Sequence, residues 1–518
     1  MEKRDDVSVY GLLEYVSNAM PDVEAIYDFI TPRKTYKELK QDVDRYAAVL
    51  VKKGIEKGDR IAVSLPNWYE TAVLLFAAGK VGAITVPFNP GYRSHEITYI
   101  LRNSTPKILF ITDKFQDNMS YEDAYKIVPT IVGVKFWDER IDCLGDWLQE
   151  EIPTVPEVPI DPAEDVYLIL YTSGTTGDPK GVMLTHRSCV MSGNVGANQL
   201  QCTEKDVFII SAPLFHIFGI AMNLFTATAA GARMVLIEKY NPKLIFEVTE
   251  KERGTIKQAV PTMYLKELEF EEFDKYDLSS LRAGVVAASP ISPDKVKEIR
   301  KKFNINLIQA FGTSETATTT VGALDDPEDK ILNTLGRPIK GVEIKIVDAN
   351  RVEVPAGEVG EIAIRGVTNM KGYYNMPEQT AKVVDHEGWY YSGDLGKVDE
   401  EGYLTFVGRQ KELIIRGGFN IYPQEIENLI MQHPAVGTAI VIGLPDKVLG
   451  EVVCAVIKLL PNETCTEQEI LDYLKSKIAT YKLPNHVRFT DEFPLTPSGK
   501  IQKMRVKEQI LNEGSIRV

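Results

Sequence analysis

Apolar residues recur at helical spacing from Tyr36 to Lys53, and the RIAVSLP that follows predicts a short strand. TAVLLFAAGKVG predicts a buried helix and AITVPFN the next strand; ILFIT predicts another after a further helical stretch. Strand–helix–strand alternation of this kind predicts a doubly wound α/β sheet of parallel strands. From Glu150 to Asp165 the text EEIPTVPEVPIDPAED, rich in proline and acids, predicts a surface connection into a second α/β unit. Beyond Arg337 short strands separated by turns (VEIKIVD, GEIAIRG, YLTFVGR) predict a β-rich subdomain, with a small barrel as one form it could take. After Lys411 a compact α+β pattern runs to the end. A chain of 518 residues accommodates roughly three domain-sized units. No internal repeat or low-complexity tract interrupts it.

One stretch, Val207 to Ala232, carries no formal charge and is long enough to cross a bilayer. Ser211, Pro213, His216, Gly219, Asn223 and Gly231 punctuate it as strand, loop, helix and strand, so a buried layer of a soluble core is expected. The N-terminal MEKRDDVSVYG lacks an apolar signal region, so no secretory signal is expected. A net charge of -14 argues against a nucleic-acid partner, because phosphate backbones select basic surfaces. The five cysteines form no CxxC pair and read as reduced thiols, which predicts a cytoplasmic protein.

The segment YTSGTTGDPKGVMLTH, Tyr171 to His186, follows an expected strand. Its glycines let backbone N–H groups converge into a nest for phosphate oxygens; the hydroxyls add donors and Lys180 a point charge. No GKS or GKT closes it, so it is not a Walker A loop. Composition alone fits a Gly/Thr surface loop equally well. Further motifs follow in order: PLFHIFG (Pro213–Gly219), FGTSETA (Phe311–Ala317), GRP (Gly336–Pro338), YSGDLGKVDEEGYLTFVGRQKELIIRGGFNIYPQEIE (Tyr391–Glu427) and PLTPSGKIQK (Pro494–Lys503). Together, across almost the whole chain, they resemble the adenylate-forming superfamily of acyl-CoA synthetases, coumarate ligases, luciferases and adenylation domains. The resemblance is strongest to bacterial AMP-forming acid–CoA ligases.

The resemblance implies an N-terminal domain over residues 1–409, built of two doubly wound α/β subdomains and a small β-rich one. It also implies a mobile C-terminal α+β domain, residues 410–518, with the active site between the two. The implied reaction has two steps: a carboxylate attacks the α-phosphate of ATP, releasing pyrophosphate, and after rotation of the C-terminal domain a thiol attacks the acyl-adenylate. ATP, Mg²⁺ and coenzyme A are thus the expected cofactor and co-substrates. Lys500 matches the lysine that contacts carboxylate and α-phosphate, where one well-placed donor is worth about 3 kcal/mol. Glu315, with Thr176, matches the Mg²⁺ site, and Ser314 offers a hydroxyl to phosphate. Asp394 and Arg409 match the ribose-binding residues. Thr172, Ser173, Gly174, Thr175, Thr176, Gly177 and Lys180 match the phosphate loop, and Ala288, Phe311 and Gly312 the nucleotide pocket. Lys411 falls at the domain hinge, Gly417 and Gly418 at the pantetheine channel, and His216, Ala287 and Ala310 at the acyl site. Taken singly, Lys500 would be a solvated charge, Asp394 a turn residue, Arg409 a surface ion pair and His216 a core histidine.

Three departures from the family pattern stand out, of which the last two concern the substrate. The usual tyrosine is Phe311, which can stack on adenine but lacks the phenol hydroxyl. Val286-Ala287-Ala288-Ser289-Pro290 replaces a glycine-containing stretch, and Ala310 a common glycine. Each added methyl narrows the implied acyl tunnel, which predicts a short- or medium-chain, or compact cyclic or aryl, acid. PLFHIFGIAMNLF contains no acid to pair a substrate ammonium, so an amino acid is disfavoured. An enzyme that loads a carrier-protein phosphopantetheine stays open; nothing in the motifs demands luciferase-like oxygenation, and retention of Lys180, Glu315, Asp394, Arg409 and Lys500 together argues against a non-catalytic nucleotide-binding regulator. The expected partners are small molecules, with no nucleic acid, no stable membrane insertion and room for a homodimer.

Overall fold

The computed structural model describes residues 6–151, 154–172, 179–496 and 499–512. Two large sheets dominate. In the eight-stranded one the central strands Arg60–Ser64, Ile84–Pro87, Ile108–Ile111 and Thr130–Gly133 run parallel. Helices expected from periodicity lead into them and link them. Tyr36–Lys52 starts at a capping box in which Thr35 and Glu38 satisfy each other's backbone N–H groups. Tyr69–Val81 ends at Gly82, whose φ of +70° only glycine adopts without strain. That second helix is buried on nearly every side because it lies between layers: Phe76 meets Phe225, which also meets Tyr167. One continuous core therefore spans both large sheets.

The division into sheets differs from the sequence expectation. Strand Glu24–Tyr27 pairs in parallel with Arg233–Leu236 (Ile26 opposite Met234) and so belongs to the nine-stranded sheet formed chiefly by residues after 200. Conversely, Val166–Thr172 and Lys180–Thr185, which follow the proline-rich connection, complete the eight-stranded sheet. The connection at 150–165 is not a boundary between sheets. The β-rich subdomain is an open antiparallel sheet of four strands, Val342–Val347, Gly360–Gly366, Tyr390–Val398 and Leu404–Arg409. Four strands are too few to close around a filled interior, and no barrel forms among the described residues.

The C-terminal unit is a five-stranded sheet centred on Val436–Asp446 and Gly450–Leu459. Ala439 and Val441 face one core under helices Pro423–Ile430 and Glu467–Lys475, while Ile440, Ile442 and Leu444 face another under Lys503–Asn512. The uncharged stretch resolves into strand Val207–Ile210, a π-helical segment Phe218–Phe225, helix Thr226–Ala230 and the strand beyond. No helix among the described residues is long and apolar enough to cross a membrane.

Candidate active site

Asp394 and Arg409 are cross-strand neighbours in the four-stranded sheet, with Arg409 Nε 3.3 Å from Asp394 Oδ1. Asp394 is buried, and burial raises its carboxyl to about 6 although Arg409 and Lys411 pull it down. Lys411 sits next to them in the 3₁₀ turn Gln410–Glu412, its ammonium lowered by burial and then by Arg409.

Glu315 lies in the loop after strand Asn306–Phe311. Gly312 permits that loop, since a Cβ there would sit 2.0 Å from the carbonyl oxygen of Ala317. Tyr373 donates from its hydroxyl to Glu315 Oε1 at 2.9 Å, and Lys180 Nζ stands 4.8 Å from the centre of the same ring. The short strand Gly372–Tyr373 pairs with Lys180–Thr185, and this pairing brings Lys180 and Glu315 to one place. Thr172 faces Lys180 across the base of the hairpin. Ser173, Gly174, Thr175, Thr176 and Gly177 lie outside the described residues.

Lys500 arrives from the other unit. Its loop is closed by Gly499 N–H and Thr496 N–H donating to the carbonyls of Thr496 and Lys500, at 2.8 and 2.7 Å. The side chain enters a cavity of about 50 Å³ lined also by His216, Phe218, Met222, Ala287, Ala288, Ala310, Phe311, Gly312 and Ser314. Burial, then Arg409, lowers its ammonium to about 8, against the pull of Asp394 and Glu315. His216 Nδ1 accepts from Phe218 N–H at 3.2 Å, and burial followed by Lys500 lowers its imidazole to about 3. His216 is therefore neutral, with its proton on Nε2. Ala288 adopts φ +70°, a left-handed conformation that costs an L-residue about 1–2 kcal/mol.

The structure thus gathers Lys500, His216, Ala287, Ala288, Ala310, Phe311, Gly312 and Ser314 around one cavity, with Asp394, Arg409 and Glu315 acting electrostatically on the lysine. Gly417 and Gly418, at φ +56° and +86°, form the tip of the hairpin Ile414–Arg416/Phe419–Ile421 and are not among the cavity residues. Sequence reasoning missed Tyr373, which no local motif marks, and Met222, which falls in a stretch weighed for membrane crossing and for the absence of an acid but not for its methionine.

Residues 13–374 match the family profile of the AMP-binding enzymes, and residues 425–500 that of the AMP-binding enzyme C-terminal domain. The medium-chain fatty-acid–CoA ligase of Escherichia coli is 34% identical over 98% of this chain and 91% of its own length. ATP-bound MatB from Rhodopseudomonas palustris superposes with a TM-score of 0.87 at 30% identity, covering 97% and 99% of the two chains. An anthranilate CoA ligase in complex with anthranoyl-AMP gives 0.90 at 26% identity, over 99% and 98%. These matches show that the chain belongs to the AMP-binding enzymes of the adenylate-forming superfamily.

Proposed function

We propose that the protein is an AMP-forming acyl-CoA synthetase. The observation that carries this reading is the position of Lys500, a half-buried cation between the Asp394–Arg409 pair and the cavity beside His216. In the first step a carboxylate oxygen bonds to the α-phosphorus of ATP and the bond to pyrophosphate breaks. Lys500 offsets the charge gathering on the carboxylate and the phosphoryl oxygens. Neutral His216 can donate from Nε2 to the acid without taking a proton from it. Asp394 accepts ribose hydroxyls, Phe311 offers a face to adenine, Ser314 a hydroxyl to phosphate, and Lys180 charge to the polyphosphate. Glu315 has one oxygen held by Tyr373. No group of three His, Cys, Asp or Glu that could hold a metal ion is found among the described residues. A lone carboxylate suits Mg²⁺, which keeps water and phosphate oxygens as its other ligands and would neutralise the pyrophosphate. In the second step the thiol sulfur bonds to the acyl carbon, the carbon–oxygen bond to AMP breaks, and the thiol proton is lost to solvent.

We place the hinge at Lys411, the domain boundary between residues 409 and 410, and Gly417 and Gly418 beside the thiol in the rotated arrangement. The acid is a short- or medium-chain, or compact cyclic or aryl, carboxylate: Ala287 and Ala310 line a cavity of about 50 Å³, and the E. coli relative is a medium-chain ligase. Coenzyme A is the thiol; a carrier-protein phosphopantetheine is the alternative acceptor. A cytoplasmic enzyme suits five free thiols, Cys143, Cys189, Cys202, Cys454 and Cys465, and either a monomer or a homodimer suits the site. One acid panel assayed twice tests the whole: pyrophosphate exchange into ATP without thiol, then AMP release with CoA. Exchange with no acid of the panel would refute adenylation; exchange without CoA-dependent AMP release would shift the acceptor to a carrier protein.

A further inference from the structure

The Lys500 loop belongs to the C-terminal unit, yet one residue before the lysine it is bonded to the large unit. Thr262 Oγ1 donates to the carbonyl oxygen of Gly499 at 2.7 Å. We propose that Thr262 is a positioning residue for the acid-activation step, a latch that holds Lys500 in the cavity and releases it before thiol transfer. The proposal rests on Lys500 being the cation of the first step.

Four observations support it. The described residues on either side of the loop are tied to one another: Leu495 bridges Ile501, Lys500 N–H donates to Thr496 Oγ1 at 3.0 Å, and Gln502 Nε2 donates to the Leu495 carbonyl at 2.7 Å. Fixing Gly499 therefore fixes Lys500. Thr262 is equally well held, at the second position of helix Pro261–Leu268, directly behind buried Pro261 and close behind strand Ile256–Ala259. The approach admits no side chain: Gly499 has φ +85°, and a Cβ on it would lie 2.9 Å from Thr262 Oγ1 and 3.2 Å from Val260 Cγ2. The neighbouring cross-unit pair, Lys458 Nζ and Glu269 Oε2, is long at 3.9 Å and partly exposed, so it attracts without fixing a geometry. A short, directional bond next to the catalytic lysine sets its position, and movement of the C-terminal unit breaks that bond.

The test uses the full-length enzyme and both half-reactions: acyl-AMP and pyrophosphate formation without thiol, and thioester formation from supplied acyl-AMP and CoA. Thr262→Val is expected to slow the first about five- to tenfold, the factor carried by one net hydrogen bond, and to change the second less than twofold. Thr262→Ser should restore the first step to within about twofold, because it keeps the donor. Gly499→Ala should slow the first step more than Thr262→Val, and Glu269→Gln should leave both steps within about twofold. Wild-type speed of Thr262→Val in the first step would overturn the latch, as would equal loss in both steps or failure of Thr262→Ser to rescue. Lys500→Ala retaining the first step would instead overturn the role given to the lysine.

Discussion

Burial moves Lys500 and Asp394 in opposite directions from their usual ranges, so both are charged together only in the window between them. An ammonium lowered to about 8 is charged below that pH and loses its charge above it; a carboxyl raised to about 6 is ionised above that pH and protonated below it. The kcat/KM for ATP in the first half-reaction should therefore be bell-shaped, with limbs near 6 and 8, because that ratio reports groups of the free enzyme. Lys500→Arg should remove the basic limb from the accessible range at whatever rate survives. His216, at about 3, should add no limb, and a profile that gained one near neutrality would contradict the neutral imidazole. Ala288 supplies a prediction on stability. Ala→Gly in an exposed helix costs about 1 kcal/mol. At φ +70°, Ala288→Gly should instead leave stability level or raise it by up to about 1 kcal/mol, read as an unchanged or higher Tm.

At the scale of elements, much of the chain was readable in advance. The helix expected from Tyr36 to Lys53 forms over Tyr36–Lys52, and RIAVS and ILFI become Arg60–Ser64 and Ile108–Ile111. Periodicity announces a strand but not its partner, so Glu24–Tyr27 could not be assigned to a sheet in which its parallel partner, Arg233–Leu236, lies about two hundred residues away. The same limit hid Tyr373, which reaches Glu315 through strand pairing alone. The motifs that hold Lys500, Asp394 and Arg409 were legible as runs of residues; the Thr262–Gly499 bond was not, since a lone threonine after a proline carries no pattern. The π-helical segment was also unforeseen, because its spacing differs by only one residue from that of an α-helix. Two buried amides hold it, Gln258 Nε2 donating to the Met222 carbonyl and Asn223 Nδ2 to that of Phe218. Met222 lines the cavity and methionine is pliable, so under the proposed function it is the side chain that a longer acid would displace. Met222→Ala should lengthen the longest straight-chain acid accepted by two or more carbons, and Met222→Trp should shorten it, in the pyrophosphate-exchange panel.

For the molecule as a whole, what matters is that the two large sheets share one core while the C-terminal sheet has its own. The C-terminal unit meets that shared bed at, among other places, the Thr262–Gly499 bond and the Glu269–Lys458 pair. Gly417 and Gly418 stand apart from the cavity in this arrangement, so substitution there should spare the first step. Gly418→Val is expected to leave acyl-AMP formation within about twofold and to slow thioester formation tenfold or more, through both the φ of +86° and the lost clearance. Loss in the first step would show that the hairpin serves the cleft as it now stands.

The shared core also sets the order in which a growing chain can fold. Strand Glu24–Tyr27 finds its parallel partner only when Arg233–Leu236 has been made. At typical rates of synthesis the N-terminal strand waits roughly 10–40 s on the ribosome with an apolar edge unpaired. During that interval its safety depends on whatever shields nascent chains, and a polypeptide stopped within the proline-rich connection would have neither large sheet complete.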